Sequence, residues 1–173
     1  MRWMWIDRIV ELVPRERMVA IKNISLAEEH LHDHFSADAE RGLPAVPVMP
    51  FSLIIEGMAQ TAGVLVGHAN AFREKVILAK VSKAQIDFDP VPGQTLRYTA
   101  TIDRLDETGA ATLGTIEVID HASGSVSEIG AIDLMFSHID RNRSGLPFPK
   151  HNFVFGEAFK TLIRTSGFEI PGE

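Results

Sequence analysis

The chain has 173 residues, a formal net charge of −6 and no cysteine. That length suits a single domain with a sizeable core, since domains most often contain about 100–150 residues. The lack of cysteine excludes disulfides, thiolate nucleophiles and thiolate metal sites. The negative charge argues against nucleic acid as the main partner, because binding a phosphate backbone needs a basic surface.

The longest apolar stretch, residues 50–71, is interrupted by polar side chains and by three glycines. Because it contains Glu56, Gln60 and His68, we do not expect it to span a membrane. The first residues lack the apolar segment of a signal peptide. We therefore expect a cytoplasmic protein without a membrane segment.

The first predicted element is a strand at residues 18–25, where β-branched side chains are frequent. Residues 37–47 contain one glycine and two prolines, which is typical of a loop. A helix is predicted over about residues 50–70, because Pro50 is well suited to the first helical turn. This helix is apolar almost all the way round, which indicates burial on most sides.

One stripe of the predicted helix is different. Glu56, Gln60, Gly63 and Gly67 follow one another at intervals of three or four residues, so they share a face. A carboxyl group on a buried helix is costly unless it is paired or used in chemistry. Glu56 is therefore a candidate functional residue, the alternative being an internal carboxyl group that only satisfies a hydrogen bond. The two glycines indicate close packing of the helix against a sheet.

Beyond the helix the apolar residues recur with a period of two, which is typical of strands. Strands are predicted at residues 76–81, 84–88, 95–103, 111–119 and 126–139. Turn sequences, DETG and DHASG, separate the last three, so neighbouring strands are expected to be antiparallel. One long buried helix beside an antiparallel sheet is an α+β arrangement.

After residue 139 the chain becomes polar and proline-bearing, and then apolar residues return at the spacing of a short amphipathic helix. These are Phe155, Phe159, Leu162 and Ile163. We divide the chain into one domain, residues 1–139, and a C-terminal extension, residues 140–173. The extension is expected to pack on the domain or on a partner subunit, and we assign it no chemistry.

Several motifs in the first part of the chain resemble the β-hydroxyacyl-acyl carrier protein dehydratase family of the FabZ type. The sequence has HF at residues 34–35, PVMP at 47–50 and LIIEGMAQ at 53–60, where the family carries HFPGxPxMPGxLxIEAMAQ. IDRIVELVPRERMVAIKNISLAEEHLHDHF upstream and AKVSKAQIDFDPVPGQTL downstream resemble two further family motifs. The resemblance covers about residues 6–139. It implies a single hot-dog domain, in which an antiparallel sheet wraps a long central helix.

The chain departs from the family pattern in two places. Residues 36–46 replace the family's short Pro-Gly link, an insertion that a loop accommodates at small free-energy cost. Phe51 stands where the family has glycine, and its ring would narrow or redirect the acyl channel. Both departures leave the catalytic residue types in place.

The resemblance implies that His34 and Glu56 carry out a dehydration. His34 would act as the base, because a histidine with an ordinary pKa of roughly 6.5 is largely neutral at cellular pH. Glu56 would protonate the departing hydroxyl, or orient it while His34 returns the proton. The backbone N–H of Phe51, at the helix N-terminus, would stabilise negative charge on the thioester oxygen. Gln60 would hold the Glu56 carboxyl group or a water molecule.

This chemistry needs neither a metal nor an organic cofactor. A metal site at His30, His32 and His34 is the alternative for that segment, because alternate residues of a strand face one side. No further set of ligands is evident in the sequence, so we favour an assignment without metal.

The predicted function is dehydration of 3-hydroxyacyl thioesters to trans-2-enoyl thioesters, in fatty-acid or related acyl biosynthesis. The resemblance implies a homodimer or larger homo-oligomer, with His34 of one subunit facing Glu56 of another. It also implies an acyl carrier protein as partner, for which a basic patch of Arg2, Arg8, Arg15 and Arg17 is a candidate surface. The alternatives are a hot-dog thioesterase, in which Glu56 activates water, and a non-catalytic acyl-binding subunit.

Overall fold

The computed structural model describes residues 4–33, 36–139 and 152–171. Its elements are, in chain order, β1 (Arg8–Val13), β2 (Arg17–Asn23), α1 (Glu29–Asp33), α2 (Phe51–Ala69), β3 (Val76–Ile86), β4 (Gln94–Leu105), β5 (Gly109–Asp120), β6 (Val126–His138) and α3 (Glu157–Thr165). Among the helices in these ranges, none has the length and apolar character needed to cross a bilayer.

The six strands form one antiparallel sheet in the order β1-β2-β4-β5-β6-β3. Helix α2 lies across the sheet and packs against β2, β3, β4, β5 and β6. This arrangement confirms the predicted α+β class and the long central helix. The helix extends from Phe51 to Ala69, within one residue of the predicted limits at both ends.

Two parts of the strand prediction differ from the structure. Residues 76–86 form one continuous strand, β3, in place of the two predicted segments. Irregularities in the pairing of β3 with β6, between Leu78 and Lys80 and between Val81 and Lys83, explain the broken alternation in the sequence. The short elements β1 and α1 were not predicted from periodicity.

The core lies between α2 and the sheet, and one close contact joins Gly57 of α2 to Tyr98 of β4. A β-carbon built at Gly57 would lie 2.5 Å from the Tyr98 hydroxyl oxygen. Tyr98 is completely buried, so its ring has little room to move. Glycine at position 57 is therefore what allows the helix to approach the strand this closely.

The two glycines of the predicted stripe have different neighbours. A β-carbon at Gly63 would lie 3.6 Å from the Phe136 ring of β6, an ordinary contact with the sheet. A β-carbon at Gly67 would overlap the Phe155 ring and would lie 2.9 Å from the Phe72 ring. The prediction of sheet packing is thus wrong for Gly67, where the close neighbour Phe155 belongs to the C-terminal extension.

The described part of the extension packs on the sheet and on α2 of its own chain. The predicted short helix is present as α3, and its residues Leu162 and Ile163 are buried in the common core. The hydroxyl of Ser166 accepts a hydrogen bond of 2.9 Å from the backbone N–H of Ile9 on β1. At the opposite edge of the sheet, β3 exposes the apolar side chains Ile77, Leu78 and Val81.

Candidate active site

The N-terminus of α2 is held by backbone contacts rather than by a capping side chain. Pro50 is the N-cap residue, and its carbonyl accepts hydrogen bonds from the N–H groups of Leu53 at 2.9 Å and Ile54 at 3.2 Å. The Phe51 N–H lies in the first turn of α2, where N–H groups have no acceptor within the helix. The predicted donor thus lies at the positive end of the helix dipole. The Phe51 side chain is 47% exposed and does not line the cavity beside Glu56.

Glu56 and Gln60 form the hydrogen bond that the sequence predicts. The Gln60 amide nitrogen donates to a Glu56 carboxyl oxygen at 2.9 Å. The Gln60 amide oxygen accepts a bond of 2.8 Å from the backbone N–H of Trp5. Because that oxygen is engaged by a donor, the Gln60 amino group is directed at the carboxyl group. Glu56 is therefore held in one orientation by a buried side chain.

A cavity of about 300 Å³ opens beside Glu56 and Gln60. It follows the stripe of α2 as far as Gly63, with apolar walls from β3, β6 and the C-terminal extension. An apolar cavity with a few convergent polar groups is the usual form of a small-molecule site. The wall supplied by the extension was not predicted, because residues distant in sequence give no periodic signal of such a contact.

His34 lies outside the described residues, but the segment leading to it does not. Helix α1 ends at Asp33, and Leu31 anchors this helix in the core. The His30 ring packs edge-on against the Trp5 ring, with centroids 4.9 Å apart. Since the Trp5 backbone N–H bonds to Gln60, the segment that leads to His34 lies on the same part of the molecule as the carboxyl–amide pair.

The same segment bears on the metal alternative. Residues 29–33 are helical, so the alternation of a strand, on which that alternative rested, does not apply to them. Across the described ranges, no group of three or more histidine, aspartate or glutamate side chains is arranged to hold a metal ion.

The insertion at residues 36–46 contains a closed turn. Asp38 and Leu43 exchange two backbone hydrogen bonds, at 3.0 and 2.9 Å. The Asp38 carboxyl group also accepts a bond from the Arg41 N–H at 3.1 Å, and Gly42 adopts a positive φ of 66°. These residues are mostly exposed, and they do not line the cavity beside Glu56.

A larger cavity of about 740 Å³ lies at the other end of α2. Its lining is polar and carries both charge signs, including Arg15, Arg73, Glu74 and Asp106. His68 also contributes, and burial lowers the pKa of its imidazole. None of the predicted site residues lies there, so size alone does not identify the candidate site.

Residues 2–124 match the family model of the FabA-like domain. The chain belongs to this family. A 3-hydroxyacyl-[acyl-carrier-protein] dehydratase FabZ of Solibacter usitatus is 36% identical over 126 residues, which is 72% of this chain and 72% of the relative. The FabZ of Streptococcus agalactiae serotype V is 33% identical over 128 residues, covering 73% of this chain and 82% of its own length. The family resemblance predicted from the motifs is thus confirmed.

Solved structures with low sequence identity share the fold. A dehydratase heterocomplex, ApeI:P from Xenorhabdus doucetiae, aligns with a TM-score of 0.58 at 15% identity, over 79% of this chain and 83% of the other. An acyl-CoA hydrolase from Staphylococcus aureus aligns with a TM-score of 0.55 at 14% identity, over 87% and 81%. The predicted hot-dog fold is confirmed, but since dehydratase and hydrolase structures both align, the fold alone does not decide the reaction.

Proposed function

We propose that the protein is a dehydratase that converts 3-hydroxyacyl thioesters to trans-2-enoyl thioesters in fatty-acid or related acyl biosynthesis. The observation that carries the proposal is the Glu56 carboxyl group, which is held by Gln60 and lines an apolar cavity. Membership of the FabA-like family and the names of the FabZ relatives support the same reaction.

In the proposed reaction His34 removes a proton from the carbon next to the thioester carbonyl. The resulting charge on the thioester oxygen is stabilised by the Phe51 N–H and the helix dipole. Glu56 donates a proton to the 3-hydroxyl group, and the C–O bond breaks to release water. The electrons of the broken C–H bond form the new carbon–carbon double bond. Gln60 keeps the carboxyl group of Glu56 directed at the departing hydroxyl.

The proposed active unit is a homodimer or larger homo-oligomer, in which His34 of one subunit serves Glu56 of another. The strand β3 is suited to pairing with a second copy, because it is an edge strand of the described sheet and carries the exposed apolar side chains Ile77, Leu78 and Val81. Such an interface would lie next to the cavity, since Ile77 and Leu78 also line it.

The proposed substrate carrier is an acyl carrier protein with a phosphopantetheine-linked acyl group. Of the candidate basic patch, Arg2 lies outside the described residues, whereas Arg8 is exposed on β1. Arg17 is already paired with the Glu11 carboxylate, whose hydrogen bond raises the pKa of Arg17. Arg15 donates to the carbonyl of Ala69 at 3.0 Å. We therefore propose Arg8 as the docking charge, because Arg15 is held at the Ala69 end of α2, away from Glu56.

The test uses a 3-hydroxyacyl carrier thioester, with enoyl absorbance and free thiol followed together. We expect enoyl formation without thiol release. His34→Ala and Glu56→Gln should each lower the rate by about 10²–10⁴-fold, the usual contribution of a positioned acid or base. Glu128→Gln, which changes an exposed glutamate away from the cavity, is the matched control and should retain the rate.

Other outcomes would identify the alternatives. Free thiol without enoyl product, lost in Glu56→Gln, would show a thioesterase and refute the dehydratase. An unreactive protein that still binds the acyl thioester would show an acyl-binding subunit.

A further inference from the structure

The C-terminal extension forms part of the wall of the cavity beside Glu56. The cavity is lined by Val154, Phe155 and Phe159 from the extension, and by the helix stripe as far as Gly63. The next stripe residue, Gly67, lies about 16 Å from Glu56 along the helix axis, at a rise of 1.5 Å per residue. Phe155 packs directly on Gly67, where a β-carbon would have no room. The groove along the stripe therefore ends at an aromatic ring.

Phe155 and Phe159, which we call the aromatic wall, are held in place by neighbouring side chains. Phe155 is only 6% exposed, and its ring packs edge-on against Phe72 and Phe159, with centroids 4.8 and 6.1 Å away. The side chain of Asn152 holds the backbone that leads to Phe155. Its side-chain oxygen accepts bonds from the N–H of Val154 at 3.1 Å and of Phe155 at 3.4 Å. Its amide nitrogen donates to the carbonyls of Phe72 and Glu74.

We propose that Phe155 and Phe159 set the upper limit on acyl chain length by blocking the far end of the cavity. This inference rests on the proposed function, since it takes the acyl group of a thioester as the occupant. The volume of about 300 Å³ is at the small end of the range for ligand pockets, roughly 300–1,000 Å³. Phe155 and Phe159 act on specificity and take no part in the proton transfers.

The experiment measures binding, so that it does not depend on turnover. Saturated acyl-pantetheine thioesters of increasing chain length are titrated into the full-length protein by calorimetry. While each added methylene group is buried, affinity should rise about fourfold per group. In the unmodified protein the rise should stop at the length at which the chain meets the aromatic wall. Phe155→Ala and the milder Phe159→Leu should move that limit to longer chains.

Phe168→Ala is the matched control. It removes a half-buried phenyl ring from the same extension, but Phe168 does not line the cavity, so the limit should stay where it is. Three results would overturn the inference: affinity that rises steadily to long chains in the unmodified protein, an unchanged limit in both wall variants, or an equal shift in Phe168→Ala. The chain-length limit could also move as expected in a protein that forms no enoyl product. That result would support the role of Phe155 and Phe159 and would refute only the proposed dehydratase activity.

Discussion

Replacing Gly57 by alanine tests the close approach of α2 to the sheet. The new β-carbon would lie 2.5, 2.6 and 2.9 Å from three atoms of the Tyr98 side chain. Distances this short require something to move, yet Tyr98 is completely buried and α2 packs against five strands. We therefore expect the substitution to strain the core although alanine is the better helix former.

The magnitude follows from two opposing contributions. Overpacking a well-filled core costs about 1–3 kcal/mol, and contacts with three buried atoms place this case at the upper end. Replacing glycine by alanine within a helix stabilises the helix by about 1 kcal/mol, because alanine has the higher helix propensity. The net loss in the free energy of unfolding should be about 2 kcal/mol. For a chain of this size that corresponds to a fall in Tm of roughly 4–8 °C.

The assay is urea unfolding followed by tryptophan fluorescence and circular dichroism, at one fixed protein concentration because an oligomer gains stability with concentration. Gly63→Ala is the matched control on the same helix. Its β-carbon would make only an ordinary contact at 3.6 Å, so its helix propensity should raise stability by about 1 kcal/mol. A change of stability in the same direction for both substitutions would show that Tyr98 does not limit the space at position 57.

Three further predictions concern stability and the attachment of the extension. In the described ranges the buried Tyr98 hydroxyl has no hydrogen-bond partner, so Tyr98→Phe should leave stability unchanged or raise it by about 1 kcal/mol; a clear loss would reveal a partner. Hydrogen bonds from Arg97 lower the pKa of the Glu117 carboxyl group below 4.5. The Arg97–Glu117 pair therefore stabilises the folded protein fully above about pH 4.5, and this contribution is lost as the pH falls through the folded-state pKa of Glu117. Glu117→Gln should lower the free energy of unfolding by less than about 1 kcal/mol at neutral pH, because the pair is partly exposed. The difference in stability between the variant and the unmodified protein should vanish in acid. A difference that stays constant with pH would show that the Glu117 charge is not its source. Asn152→Ala should speed amide exchange in α3 and around Phe155 more than in the sheet, and uniform protection would show that this anchor is dispensable.

The main features of the fold could be predicted because they depend on local patterns. Helix α2 has a proline at its start and an apolar circumference, and the later strands alternate cleanly between turns. β1 has only six residues, with a pairing irregularity between Ile9 and Glu11, so its alternation is broken. β3 was divided in two for a similar reason, because its pairing is irregular and most of its side chains are exposed.

The candidate site shows the same division between local and distant contacts. The Glu56–Gln60 bond follows from a four-residue spacing on a helix, and the sequence predicts it. The contact of Gln60 with Trp5 joins residues 55 positions apart, so no periodicity reveals it. Phe155 was assigned to an amphipathic helix, but it precedes α3 and packs on Gly67. Only the folded chain shows that the extension forms a wall of the cavity.

The two edges of the sheet have consequences for how copies of the chain can assemble. At β1 the pairing irregularity and the bond from the Ile9 N–H to Ser166 disfavour the addition of another strand, whereas the β3 edge is flanked by exposed apolar side chains. A contact between two β3 strands uses the same surface on both copies, so it is isologous and closes after two subunits. The outer edges of such a pair would both be β1 strands. In such a dimer, growth into open filaments would be disfavoured, and the C-terminal extension would contribute to this limit by covering part of the β1 edge.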